Sequence, residues 1–238
     1  MNQSVWQPVA AQLEQHFRVY WLDLAGHGIN RDIPLGTIEQ MSALIAAEIP
    51  PQTLILAWSL GGLIAQQIAL QQPDKVKQLC LVASSPCFVQ TELWQTAMPK
   101  HILDNFADSL NTDFSGTLSL FLSLQFLGVK GVQTEIKQLR QQLLAHPPTT
   151  QALIDGLTIL QTADFNQSTA IANSNIPTHW ILGRLDRLVP ISVAAVLSNR
   201  PNNTVTTIAK AGHAPFISHP QEFMDAVLIS FLGANYAN

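Results

Sequence analysis

Cysteine is scarce in this chain of 238 residues: only Cys80 and Cys87 occur. Cys80 lies inside a stretch read below as a buried strand, so a fold stapled by disulfides is excluded. Charge is scarce too, at 12% of residues, with 12 Lys and Arg against 16 Asp and Glu for a net charge of −4. Without a run of basic residues there is no electrostatic footprint for a phosphate backbone, and no nucleic-acid partner is expected. No apolar run approaches the ~18 residues that cross a bilayer, so no membrane partner is expected. Residues 1–18 also lack the charged-then-apolar order of a secretory leader, and a cytoplasmic protein follows as the expectation. What the chain does have is apolar content, 47% of residues. That is enough for one large domain with a full core and an inserted subdomain.

The sequence contains neither an internal repeat nor a low-complexity segment. Residues 17–24, Phe-Arg-Val-Tyr-Trp-Leu-Asp-Leu, read as a strand that ends in the turn Ala25-Gly26-His27-Gly28. A helical pattern covers 38–48 and closes at Pro50-Pro51. The apolar run Thr53-Leu54-Ile55-Leu56 then meets Ala57-Trp58-Ser59-Leu60-Gly61-Gly62, and a helical pattern follows from Leu63 to Leu70. A further strand, 78–83, ends at Ser84-Ser85-Pro86. From about Phe88 to Phe165 only helical periods occur. Alternation resumes with a strand at 179–182, a helix at 192–198, a strand at 205–209 and a last helix at 221–232. Strands alternating with helices predict a parallel sheet covered on both faces. The expected organisation is therefore an α/β core of residues 1–87 and 166–238, split by a helical lid of residues 88–165.

Strand, tight turn and helix with Ser59 at the turn form the pattern of a nucleophile elbow, which projects a hydroxyl from the carboxyl edge of a sheet. Its neighbours must be small for helix and strand to approach. Ala57 takes the place of the first glycine of the usual G-x-S-x-G. A serine hydroxyl is a poor nucleophile at neutral pH and needs a base, itself oriented by an acid. On this type of core the order along the chain is Ser, then Asp or Glu, then His, each at a strand end. Asp186, in Gly183-Arg184-Leu185-Asp186, and His213, in Gly212-His213, occupy those places. Read alone, Asp186 is a turn or capping residue and His213 a polar loop histidine. Three positions agreeing in order and strand context outweigh that reading. His219 competes for the base but sits at an expected helix start. His27, His179, Asp155 and Asp164 do not fit the order. Cys87 is an alternative nucleophile without a histidine in a suitable motif after it.

Four segments carry a resemblance: Trp58-Ser59-Leu60-Gly61-Gly62, Ala83-Ser84-Ser85-Pro86-Cys87-Phe88, Phe121-Leu122-Ser123-Leu124-Gln125 and Ala214-Pro215-Phe216-Ile217-Ser218-His219-Pro220. With them the chain resembles the pimeloyl-[acyl-carrier protein] methyl ester esterases of biotin synthesis, on the α/β-hydrolase fold, from about Val5 to the last helix. The resemblance implies a serine carboxylesterase that releases methanol from a pimeloyl chain held on acyl-carrier protein. It implies Ser59 as nucleophile, His213 as base, Asp186 as its orienter, the Leu60 N–H as oxyanion donor, and Phe121 and Gln125 as lining of the acyl site. It requires no metal or organic cofactor, and a monomer is expected. The spacing of Phe121 and Gln125 places both on one helix face whatever the family, and on that spacing alone lid packing for Phe121 and solvent for Gln125 is the alternative. A generalist esterase or lactonase of the same fold is a second reading of the whole chain.

Two departures from the family pattern give further expectations. The family begins with additional strands, one ending in a His-Gly-x-Gly-like turn that carries a second oxyanion N–H and a pocket tryptophan, and Met1 to Gln15 resembles the helix after that turn. An N-terminally truncated core is therefore expected, lacking a strand between 19–24 and the elbow strand, with weak or no catalysis and at most a binding role. The carrier protein is acidic and favours a basic surface. Residues 88–165 carry four basic side chains, Lys100, Lys130, Lys137 and Arg140, against seven acidic ones. Only Lys137 and Arg140, three apart, with Lys130 upstream, offer a local docking patch, with solvated surface charge as the alternative.

Overall fold

In a computed structural model of the chain, which describes residues 1–166 and 175–233, the strand at residues 76–82 divides its side chains between two cores. Leu79 and Leu81 join one apolar cluster with Leu63, Ile64, Trp180 and Leu182. Cys80 and Val82 join the other with Val9, Leu13, Ile181, Phe223 and Val227. This is the period-2 consequence of a strand buried on both faces.

The strand belongs to a four-stranded parallel sheet of order β1-β2-β3-β4. Its members are β1 (Thr53–Trp58), β2 (Val76–Val82), β3 (Thr178–Gly183) and β4 (Asn203–Ile208), paired from Thr53↔Val76 to Gly183↔Ile208. On the first face lie α2 (Ile38–Glu48), α3 (Leu60–Gln71) and, further along the chain, a short helix over Val193–Ser198. The second face is covered by α1 (Gln7–His16) and a C-terminal helix over Pro220–Leu232. Helix α2 starts on a capping box in which Thr37 and Gln40 each satisfy the other's backbone N–H.

Between β2 and β3 come α4 (Lys100–Thr112), α5 (Phe114–Gln125), α6 (Gln133–Ala145) and α7 (Thr150–Thr162). Asp113 caps α5 through the Gly116 N–H at 2.8 Å and Thr149 caps α7 through the Ala152 N–H at 3.1 Å. Among the described residues, strand-like pairing here is limited to isolated bridges such as Cys87↔Asp164. Asp104 of α4 accepts from Gln161 of α7 at 2.8 Å, tying the first of these helices to the last. The helices after β3 are α8 (Val193–Ser198), α9 (Pro215–Ser218) and α10 (Pro220–Leu232). No helix among the described residues is long and apolar enough to cross a membrane.

Two sequence expectations need correcting. Residues 17–24 are not a strand of the sheet. They alternate between half-buried Phe17, Val19 and Trp21 and exposed Arg18, Tyr20 and Leu22, as a strand would, but among the described residues no ladder forms on either side, and a strand exists only through its ladder. Helix α3 begins at Leu60, three residues before the expected start. Gly61 and Gly62 weaken a reading from propensity, yet they sit inside the first turn.

Candidate active site

The loops that follow β1, β3 and β4 open at the same edge of the sheet, as parallel strands require. After β1 the chain turns at Ser59 with φ 54° and ψ −121°. The Ser59 N–H is held by the Val82 carbonyl at 2.9 Å, and the Ser59 carbonyl accepts from the Gly62 N–H and the Ser84 hydroxyl, each at 2.9 Å. Gly62 is demanded by contact: a Cβ there would stand 2.3 Å from Ser84 Oγ and 2.6 Å from Ser84 Cβ. At Gly61 a Cβ would meet only the Ala57 methyl, at 4.0 Å, so alanine in place of the first motif glycine causes no crowding.

After β3, Asp186 is fixed by two bonds to one oxygen, Oδ1, from the N–H groups of Leu188 at 2.7 Å and Val189 at 3.0 Å. Its second oxygen, Oδ2, stands 2.8 Å from His213 Nδ1. After β4, His213 presents Nε2 to Ser59 Oγ at 2.9 Å. The loops bearing Asp186 and His213 touch at Gly183, where a Cβ would lie 2.1 Å from the Gly212 carbonyl oxygen. His213 is 1% and Asp186 5% exposed, which keeps the pair out of water. Nδ1–H donating to a carboxylate leaves Nε2 free to accept the serine proton. The structure therefore brings Ser59, His213 and Asp186 into one continuous chain of hydrogen bonds.

Ser59 and Leu60 open into a cavity of about 270 Å³. Leu60 is the first residue of α3, so its N–H has no acceptor within the helix and stands beside Ser59 at the positive end of the helix dipole. The opposite wall is apolar and comes from the helices between β2 and β3, with Phe106, Leu118, Phe121 and Leu157 among its side chains. Phe121 is half-buried and packs edge-on against Phe106 at 5.7 Å. Gln125, on the same face of α5, is 1% exposed, so the solvent-facing alternative is overturned. Neither atom of its side-chain amide has a partner among the described residues.

Other candidates lie elsewhere. His219 directly precedes α10, and its ring contacts the Ser218 hydroxyl at 2.9 Å. His179 is buried against Thr206 at 2.8 Å, and burial lowers its pKa. Burial pushes the Cys87 thiol up to about 11 and Cys80 to about 12, so both remain protonated at neutral pH. Asp155 accepts from the Gly36 N–H at 3.2 Å.

His27 is one lining residue that sequence reasoning missed, having read it as part of a glycine turn. It is buried on the cavity wall, with Nδ1 3.0 Å from the Ala25 carbonyl. Burial, then the charge of the nearby amino terminus, lowers its pKa to about 4 against the opposing Ala25 bond, leaving it neutral at physiological pH. Among the described residues no group of His, Cys, Asp and Glu is arranged to hold a metal ion.

Comparison with known proteins accords with this geometry. A profile of the alpha/beta hydrolase family matches residues 1–226. The pimeloyl-[acyl-carrier protein] methyl ester esterase of Serratia marcescens is 41% identical over 99% of this chain and 91% of its own length. Its namesake from Salmonella typhi is 40% identical over 96% and 89%. An esterase from Exiguobacterium antarcticum superposes with a TM-score of 0.85 at 20% identity, covering 95% of this chain and 86% of the other, and shares the fold.

Proposed function

We propose, from the premise that this chain belongs to the alpha/beta hydrolase family and within it to the pimeloyl-[acyl-carrier protein] methyl ester esterases, that it is a serine carboxylesterase of biotin synthesis, converting the methyl ester of pimeloyl-[acyl-carrier protein] to the free acid and methanol. The observation that carries the chemistry is Ser59 Oγ, 2.9 Å from His213 Nε2, at the mouth of an apolar cavity.

Ser59 Oγ attacks the ester carbonyl while His213 Nε2 takes its proton. Asp186, held by two backbone N–H groups, stabilises the imidazolium that forms. Charge accumulates on the carbonyl oxygen, and the Leu60 N–H is the donor aimed at it. The tetrahedral species collapses as His213 returns the proton to the departing methoxide, leaving an acyl–Ser59 ester and methanol. Water, deprotonated by His213, then attacks the acyl carbon, and His213 returns that proton to Ser59 Oγ as the acyl–Oγ bond breaks and the carrier-bound pimeloyl acid leaves. Every atom and proton is accounted for by these residues and water. Residues 88–165 act as a lid over the core of 1–87 and 166–238, and Phe121 and Gln125 line the acyl chain.

For the carrier protein, Lys130, Lys137 and Arg140 are exposed on and just before α6 and supply positive charge for an acidic partner. Hydrolysis of the carrier-bound methyl ester, compared with a short free methyl ester, tests the proposal. A kcat/KM at least tenfold higher for the carrier-bound ester supports it, whereas parity indicates a generalist esterase. Charge reversal at Lys137 and Arg140 should raise KM for the carrier-bound ester alone.

A further inference from the structure

The loop that carries His213, residues 209–214, belongs to neither a helix nor a strand. The place of the imidazole is therefore set by whatever grips the loop's backbone. Two bonds grip His213 itself. Its N–H donates to the carbonyl of Gln125 at 2.9 Å, and its carbonyl accepts from the indole Nε1–H of Trp58 at 2.8 Å. Both polar groups of one peptide residue are thus tied to two other parts of the molecule, the end of α5 and the end of β1.

Trp58 is well suited to such a task. It directly precedes Ser59, so the nucleophile and the grip on its base are neighbours on one strand end. Its ring centroid lies 5.6 Å from that of His213, and it meets the fully buried Phe216 edge-on at 5.2 Å. Phe216 packs in turn on Phe223 of α10 at 5.8 Å, so the indole is braced by the core that covers the second face of the sheet.

We propose that Trp58 is a positioning residue of the esterase, fixing His213 Nε2 against Ser59 through the hydrogen bond to the His213 carbonyl. This rests on the assignment of Ser59 and His213 as nucleophile and base. Displacing a reacting atom by 1 Å costs on the order of 10²-fold in rate, and with the indole N–H removed, among the described residues the Gln125 bond alone remains on the His213 backbone, the loop carbonyls of Ala209 and Ala211 being held by Arg184 and Leu185. Because that remaining bond comes from the cavity wall, the base becomes sensitive to how α5 is seated.

The experiment replaces Trp58 with 3-benzothienylalanine, which keeps the fused rings and lacks the N–H, beside Trp58→Phe. Four quantities are read: kcat and KM on a short methyl ester, the rate of Ser59 modification by a fluorophosphonate, the melting temperature, and the low-field proton resonance of the His213–Asp186 hydrogen bond. We expect kcat and the modification rate to fall together by about 10- to 10²-fold. KM should stay within about twofold, melting should be unchanged for the isostere, and the resonance should shift or broaden. An isostere with unchanged kcat and resonance overturns the proposal, as does a loss of kcat that merely follows lost folded protein. If the unsubstituted protein is not modified at Ser59, it is the assignment of the nucleophile that fails; an equally modified isostere removes the role of Trp58 and leaves that assignment standing.

Discussion

The site has two walls built on opposite terms, the hydrogen-bonded loops at the sheet edge and the helical lining of the cavity. On the sheet side, Asp186 and His213 are bonded at every position that matters, by Leu188, Val189 and each other. On the helical side, Gln125 is as deeply buried as His213, yet its side-chain amide meets no partner among the described residues. The difference separates two kinds of work. The groups proposed to move protons are held in place before any substrate arrives, which makes their electrostatic effect available without reorganisation. The group proposed to line the acyl chain has bonding capacity left over, at a cost in stability to the empty protein.

Substitutions on the two walls should therefore change activity and stability in opposite senses. The largest effect is expected from Asp186→Asn, which keeps the shape but disfavours the His213 tautomer needed by Ser59. Turnover should fall by roughly 10⁴-fold, as for the equivalent change in serine proteases, in steady-state assays of a short ester. Next comes Gly62→Ala, on the sheet side, where the new methyl would press on Ser84. Chemical denaturation should show a loss of about 1–3 kcal/mol. Gly61→Ala, with only the Ala57 methyl at 4.0 Å, should be tolerated.

His27 tests the boundary between the walls, since it faces the cavity but is bonded to its own loop. Its folded pKa of about 4 lies below the free value of 6.5, so the unfolded chain binds the proton more tightly. The stability contributed by neutral His27 is complete above about pH 6.5 and is lost as pH falls from there towards 4. Melting temperature against pH should flatten in that window in His27→Gln. A smaller effect, and the sharpest in sign, belongs to Gln125→Leu. Removing an unpartnered buried amide should raise the stability of the empty protein by about 1 kcal/mol while weakening activity on the carrier-bound ester. A Gln125→Leu protein that melts lower would erase the contrast between the walls.

Much of this was legible in the chain. Ser59, Asp186 and His213 could be placed because each follows an apolar run and because their order is a property of the fold. Helix α2 was readable from its periodicity at 38–48, the bounds it has in the structure. Residues 17–24 were misread because alternation describes one segment, whereas a ladder is a relation between two, and no sequence window contains the partner. The spacing of Phe121 and Gln125 gave a shared face without saying which way it turned, and burial decided it. His27 was hidden by its glycines, which signal a turn and say nothing of what the turn packs against. Trp58 carried no signal for its reach to His213, 155 positions away.

The elbow backbone at φ 54° and ψ −121° has a thermodynamic consequence. An L-residue in such a region is strained by roughly 1–3 kcal/mol, and glycine, which lacks the Cβ, escapes most of it. The protein would accordingly be more robust with glycine in place of its proposed nucleophile, and a screen that selected variants for heat resistance alone would drift towards discarding Ser59.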